Sequence, residues 1–88
     1  MRQTHYLKCW PEYFKEVCNG NKKFELRKDD RPWKVGDLLI LQEFDPFEDK
    51  YTGMQIKFTI TYILRDVPYL GLMEGACILS LGISDNND

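Results

Sequence analysis

Little in this 88-residue chain points to metal binding, redox chemistry or a membrane. Histidine occurs once, as His5, and the three cysteines, Cys9, Cys18 and Cys77, are widely spaced with no Cys-x-x-Cys pair. A zinc site draws its ligands from clustered Cys and His, so none is expected. An odd number of scattered cysteines reads as reduced thiols, not as a disulfide framework. No apolar run approaches the roughly 20 residues that span a bilayer. The opening segment, MRQTHYLKCWPEYF, lacks the apolar core and small-residue cleavage site of a signal peptide. A cytoplasmic monomer with no membrane partner is the expectation. Ser-His-Asp order, nucleophile elbow, P-loop and HExxH are all missing, and no cofactor is expected.

Excess positive charge is lacking too. The net charge is -2 and the pI about 5.3, which argues against sequence-blind binding to long duplex nucleic acid, where many phosphates must be met. A nucleotide, one flipped base or a short structured RNA needs only a local pocket. With 43% hydrophobic and 30% charged residues, the chain has ordinary globular composition. Its length suits one domain, expected over residues 1–83, followed by a polar tail at 84–88.

The cations that are present cluster. Between Asn19 and Leu41 lie Lys22, Lys23, Arg27, Lys28, Arg31 and Lys34, half of the 12 Lys+Arg, offset there by Glu25, Asp29 and Asp30. Such clustering in a chain of low net charge marks a candidate ligand face.

Periodicity supplies the elements. His5 to Cys9 alternates as a short strand. Trp10-Pro11 opens a two-turn helix in which Tyr13, Phe14, Val17 and Cys18 form a narrow apolar stripe, and Asn19-Gly20-Asn21 stops it. Lys23 to Lys28 is a second strand, with Phe24 and Leu26 on one face and Lys23, Glu25 and Arg27 on the other. A turn at Asp29–Pro32 and Val35-Gly36-Asp37 lead to a third strand, Leu38 to Glu43, whose continuous apolar run predicts burial on both faces. Phe44 to Gly53 reads as irregular. Gln55 to Arg65 alternates clearly, with Ile63 out of phase. A loop over Asp66 to Gly75 precedes a last strand, Cys77 to Leu81. The order β-α-β-β-β-β predicts an α+β, mainly β fold, a small barrel of about five strands with one short helix between the first two. Closure would remove open edges. The pattern alone suits an OB-like barrel equally.

Gly20-x-Lys22-x-x-Glu25-x-Arg27 resembles the GxKxxExR signature of ASCH domains, small barrels of the PUA-like superfamily. The preceding strand and Pro-initiated helix, and the following Val35-Gly36-Asp37-x-Leu39-x-Leu41, extend the likeness from about Thr4 to Gly82. The resemblance is to the minimal members found in bacteria and phages, most without established activity. It implies an RNA- or nucleotide-binding cleft at the helix-to-strand junction.

On the residues themselves, Lys22, Lys23 and Arg27 can cradle a phosphate, Arg27 as a bidentate fork. Glu25 shares the strand face of Arg27 and can accept from a base amino group, or can simply steady the strand as an ion pair. Among the aromatics in or beside loops (Trp33, Phe44, Phe47, Tyr51 and Tyr69), Trp33 and Tyr51 are the candidates to stack on a base, the rest to cap barrel ends. Some ASCH relatives are amidohydrolases acting on N4-acetylcytidine, and the resemblance would then give Lys22, Glu25 and Glu74 as the set. Glu25 stands where those enzymes carry their proposed Thr nucleophile, so that assignment lacks its central group. A protein-interaction module using the aromatic loops is the third alternative.

Overall fold

A computed structural model describes residues 2–83; the expected tail at 84–88 lies outside the described residues. Strand β1 (Thr4–Cys9) is followed by helix α1 (Pro11–Cys18), then by β2 (Phe24–Lys28), β3 (Leu38–Asp45), β4 (Lys50–Leu64), a 3-10 turn at Pro68–Leu70, and β5 (Ala76–Ile83). The five strands form one curled half-barrel sheet in the order β1-β3-β4-β5-β2. β1 lies parallel to β3, and every other neighbouring pair is antiparallel. The expected mainly β fold, with one helix between the first two strands, is therefore present. Closure is incomplete: β1 and β2 are the sheet's two edges and share no ladder.

Strict alternation in β1 turns His5, Leu7 and Cys9 inward. Helix α1 has Pro at its first position, where the missing N–H costs nothing, and Glu12 at the positive end of the dipole. Gly20 ends it at φ 80°, a conformation that a side chain would resist. Only Phe14 and Val17 of the helix are buried. The expected stripe is thus narrower, because Cys18 is exposed and Tyr13 is 47% exposed at its flank. Leu39, Leu41, Ile60, Cys77 and Leu79 are fully enclosed between the sheet's inner face and the helix cluster. β3 is buried on both faces from Leu38 to Leu41, as its apolar run predicts.

Two stretches depart from the sequence reading. Phe44 to Gly53 is not an irregular loop: β3 runs to Asp45 and β4 resumes at Lys50. The reversal is compressed into four residues because Asp45 Oδ1 accepts from the N–H groups of Phe47 and Glu48, at 2.9 and 3.2 Å, and Asp49 adopts φ 53°. In β4 a register shift between Ile60 and Tyr62 inserts one residue. Ile63 thereby comes into phase with Ile60 and packs on the core, while Tyr62 turns outward, 58% exposed. The bulge accounts for the one residue that broke the alternation.

Val35-Gly36-Asp37 forms a pinned turn. Asp37, 2% exposed, accepts from the N–H groups of Gln3 and Lys34 and pairs with His5 Nε2 at 2.9 Å. Burial pushes the Asp37 carboxyl up, but the hydrogen bonds from His5, Gln3 and Lys34 outweigh it and hold it below its ordinary 3.8. On acidification the unfolded chain takes this proton first. The stability contributed by Asp37 is therefore complete above pH 3.8 and is lost as pH falls through the lower folded value. In urea melts, Asp37→Asn is expected to cost about 1–3 kcal/mol at neutral pH, with its deficit against wild type shrinking below pH 3.8. A deficit independent of pH would exclude this ionisation as the source.

Candidate functional site

The seam between the edges β1 and β2 opens, over the start of α1, into a cleft of about 550 Å³. Glu25 lies in its wall, and its 3% exposure makes it the buried carboxylate around which the cleft is organised. Alternation on β2 turns Glu25 and Arg27 toward the seam and leaves Phe24 and Leu26 45% and 59% exposed. The charged face of this strand is thus the inner one, because Glu25 arrives neutralised. Lys22 Nζ donates to Glu25 Oε1 at 2.8 Å; Arg27 approaches Oε2 through Nε at 3.0 Å and Nη2 at 2.9 Å.

Each cation also has a second anchor. Lys22 donates to the Phe24 carbonyl at 2.8 Å and sits 4.8 Å from the Phe24 ring centroid. Arg27 Nη2 reaches across the seam to the Lys8 carbonyl at 2.6 Å, a side-chain bridge where the sheet has no backbone ladder. Three cationic side chains, Lys8, Lys22 and Arg27, meet one carboxylate in this cleft. Lys8 makes no ion pair among the described residues and lies 4.1 Å over the Phe44 ring. The cleft therefore keeps a surplus of positive charge in a half-enclosed, partly apolar setting, where such charge acts more strongly than on open surface.

Aromatic rings line the other side. Trp10 and Tyr13 stack at 6.4 Å with 24° between planes, and both are about half exposed into the cleft. Cys9 also borders it, but burial, with the Glu25 carboxylate adding to it, pushes its thiol up to about 11. At neutral pH it is a protonated thiol and a poor nucleophile.

A family match covers residues 4–81. The chain belongs to the family described as "Domain of unknown function (DUF3850)". It is also similar to an uncharacterised 12.9 kDa protein in the GpA 3′ region of Escherichia phage P2, 38% identical over 61 residues. That alignment takes in 69% of this chain and 54% of the phage protein, so the chain spans about half the length of this relative.

Of the expected site residues in this DUF3850 chain, Lys22, Glu25 and Arg27 converge. Lys23 is exposed and does not line the cleft; its carbonyl accepts from Leu81 N–H. Trp33 is displaced from its expected role: at 4% exposure it belongs to the core, its ring 4.7 Å from His5 and its Nε1 donating to the Lys28 carbonyl. A ring so enclosed has no face left for a base. Tyr51 is half exposed on β4, edge-on to Phe44 at 5.1 Å, and reaches the cleft only through Lys8, 5.9 Å from its centroid.

Glu74 is exposed in the turn before β5. Gly75 hydrogen-bonds Asp29, which lies four residues along the chain from Glu25, so Glu74 is not brought together with Lys22 and Glu25. Phe47 and Tyr69 stand exposed, 97% and 80%, on the hairpin tip and the 3-10 turn. Lys8, Trp10 and Tyr13 line the cleft without being among the residues expected there. For Trp10 and Tyr13, their i, i+3 spacing at a helix start was the available signal. Among the described residues no three His, Cys, Asp or Glu side chains group to hold a metal, and no helix is long and apolar enough to cross a membrane.

Proposed function

We propose that this DUF3850 domain binds a nucleotide, free or within RNA, in the cleft between β1, β2 and α1. The observation that carries the proposal is the pairing of an exposed Trp10–Tyr13 stack with Lys22 and Arg27, both held in place by a buried Glu25. A base lying against the rings would gain dispersion and stacking energy. Its phosphate or polar edge would meet donors already oriented, so little side-chain entropy would be lost on binding. Glu25 accepts from Lys22 and Arg27 through both oxygens, which suits the organiser of a binding site better than a general base. Kinship with ASCH domains, suggested by the Gly20-x-Lys22-x-x-Glu25-x-Arg27 motif, is part of the same reading.

Calorimetric titration with nucleosides, nucleotides and short single-stranded RNAs tests it. Trp10 makes no side-chain cap for the helix and is 48% exposed, so its removal should spare the fold. Trp10→Ala is expected to weaken nucleotide binding about tenfold, the loss of one stacking contact. Absence of saturable heat across the whole panel with folded wild-type protein would overturn the proposal.

A further inference from the structure

The cleft does not end at Arg27. Farther along the same seam lies a second hollow of about 330 Å³, and the two share Leu26 and Arg27 in their walls. It is bordered by Lys28 and Arg31, both exposed, with Asp30 the one carboxylate among its lining residues. Asp29, next in the chain, is taken up by Arg65 at 2.7 Å.

Arg31 is held in position. Its guanidinium lies 4.8 Å over the Trp33 ring, and Trp33 N–H donates back to the Arg31 carbonyl at 2.8 Å around Pro32. The tight turn, with Pro fixing φ, and the buried ring beneath restrict a side chain that is exposed and lines the hollow. Strand geometry places Lys28 about 10 Å beyond Glu25. Aromatics and cations in the first hollow are thus followed, along one open groove, by Arg27, Lys28 and Arg31 against the single carboxylate of Asp30 in the second, with the buried Trp33 ring in its wall.

We infer that the ligand is a single-stranded oligonucleotide lying along the β1–β2 seam, with a second phosphate subsite formed by Arg31 and Lys28. This rests on the nucleotide reading above and goes beyond it. The first hollow takes a base and its phosphate; the next phosphate crosses Leu26 and Arg27 and meets Arg31. A mononucleotide occupies half of the track.

Titrations with AMP and with the 5′-phosphorylated diadenylate pApA, each at several salt concentrations, test this. Wild-type protein should bind pApA about tenfold more tightly than AMP, the gain of one charge-assisted contact. The slope of log affinity against log salt should steepen by about 0.7. Arg31→Gln keeps a stem over Trp33 but removes the charge; it should erase both gains while AMP affinity stays at the wild-type level. Lys28→Gln, exposed on β2, should reduce the pApA gain in the same direction and stands in should the Arg31 variant melt early. Equal affinity for AMP and pApA in wild type overturns the second subsite alone, as does a pApA advantage that survives both variants. Failure of both ligands to bind overturns the inference together with the nucleotide reading.

Discussion

Trp33→Ala is expected to destabilise the protein by about 3–5 kcal/mol, the usual cost of truncating a large buried aromatic. The ring fills the space between His5 and the Arg31 guanidinium, 4.7 and 4.8 Å from its centre, and belongs to the same core cluster as Leu39 and Leu79. Truncation leaves a cavity beside the His5–Asp37 pair and removes the indole donor, 3.3 Å away, from the Lys28 carbonyl. For a domain of this size each kcal/mol moves the melting midpoint by about 4–8 °C, so a drop of roughly 15 °C or more should be seen by circular dichroism. Trp33→Phe, which keeps a six-membered aromatic ring but loses the pyrrole half and its donor, should cost less, about 1–3 kcal/mol. A Trp33→Ala protein melting within a few degrees of wild type would mean that the ring is not structural.

That residue shows where sequence reading reaches its limit. Trp33 sits among cations in a stretch rich in turn residues, and nothing local distinguishes a ring offered to solvent from one folded under the chain. The difference is made by His5 and Lys28, a strand away and five residues away, and only the tertiary fold supplies them. The same holds for β2. Alternation correctly separated Phe24 and Leu26 from Glu25 and Arg27, but hydropathy favours the apolar pair as the inner one. Neutralisation of Glu25 by two cations reverses that preference, and the energy of such pairing is invisible to a hydropathy pattern. Where burial was continuous, as from Leu38 to Leu41, or where backbone demand was strict, as at Gly20, the local sequence was sufficient. Lys22 and Arg27 were legible because they cluster; Lys8, brought in from β1 by the fold, was not. Its aromatic wall was not, since Trp10 and Tyr13 read equally well as the opening and the stripe of an ordinary short helix.

Arg27→Ala should also be costly, although the residue lies at the surface end of its network. Breaking a buried ion pair from one side costs about 3–5 kcal/mol, because the remaining charge stays desolvated. Lys22 still holds one Glu25 oxygen and the Arg27 side chain is 26% exposed, which brings the expected loss below that range, to about 2–3 kcal/mol. The bridge to the Lys8 carbonyl disappears with it, so the two sheet edges lose a side-chain tie. Glu25→Ala should be destabilising too, since Lys22 and Arg27 would then face each other uncompensated. The double variant Glu25→Ala/Arg27→Ala is the informative one. It removes the buried charge along with its partner, so its cost should fall short of the sum of the two single variants by about 1–3 kcal/mol, the coupling of residues in one network. Urea unfolding of the four proteins in this cycle measures it, and strict additivity would show that Glu25 and Arg27 share no stabilising interaction. The cycle also bears on ligand binding. Removing cations from around Glu25 weakens fold and affinity together, whereas removing Glu25 with Arg27 restores much of the fold without restoring the oriented guanidinium. A folded double variant that no longer binds nucleotide would separate the two roles of the cluster; one that binds as wild type does would show that the ligand does not use the Glu25–Arg27 pair.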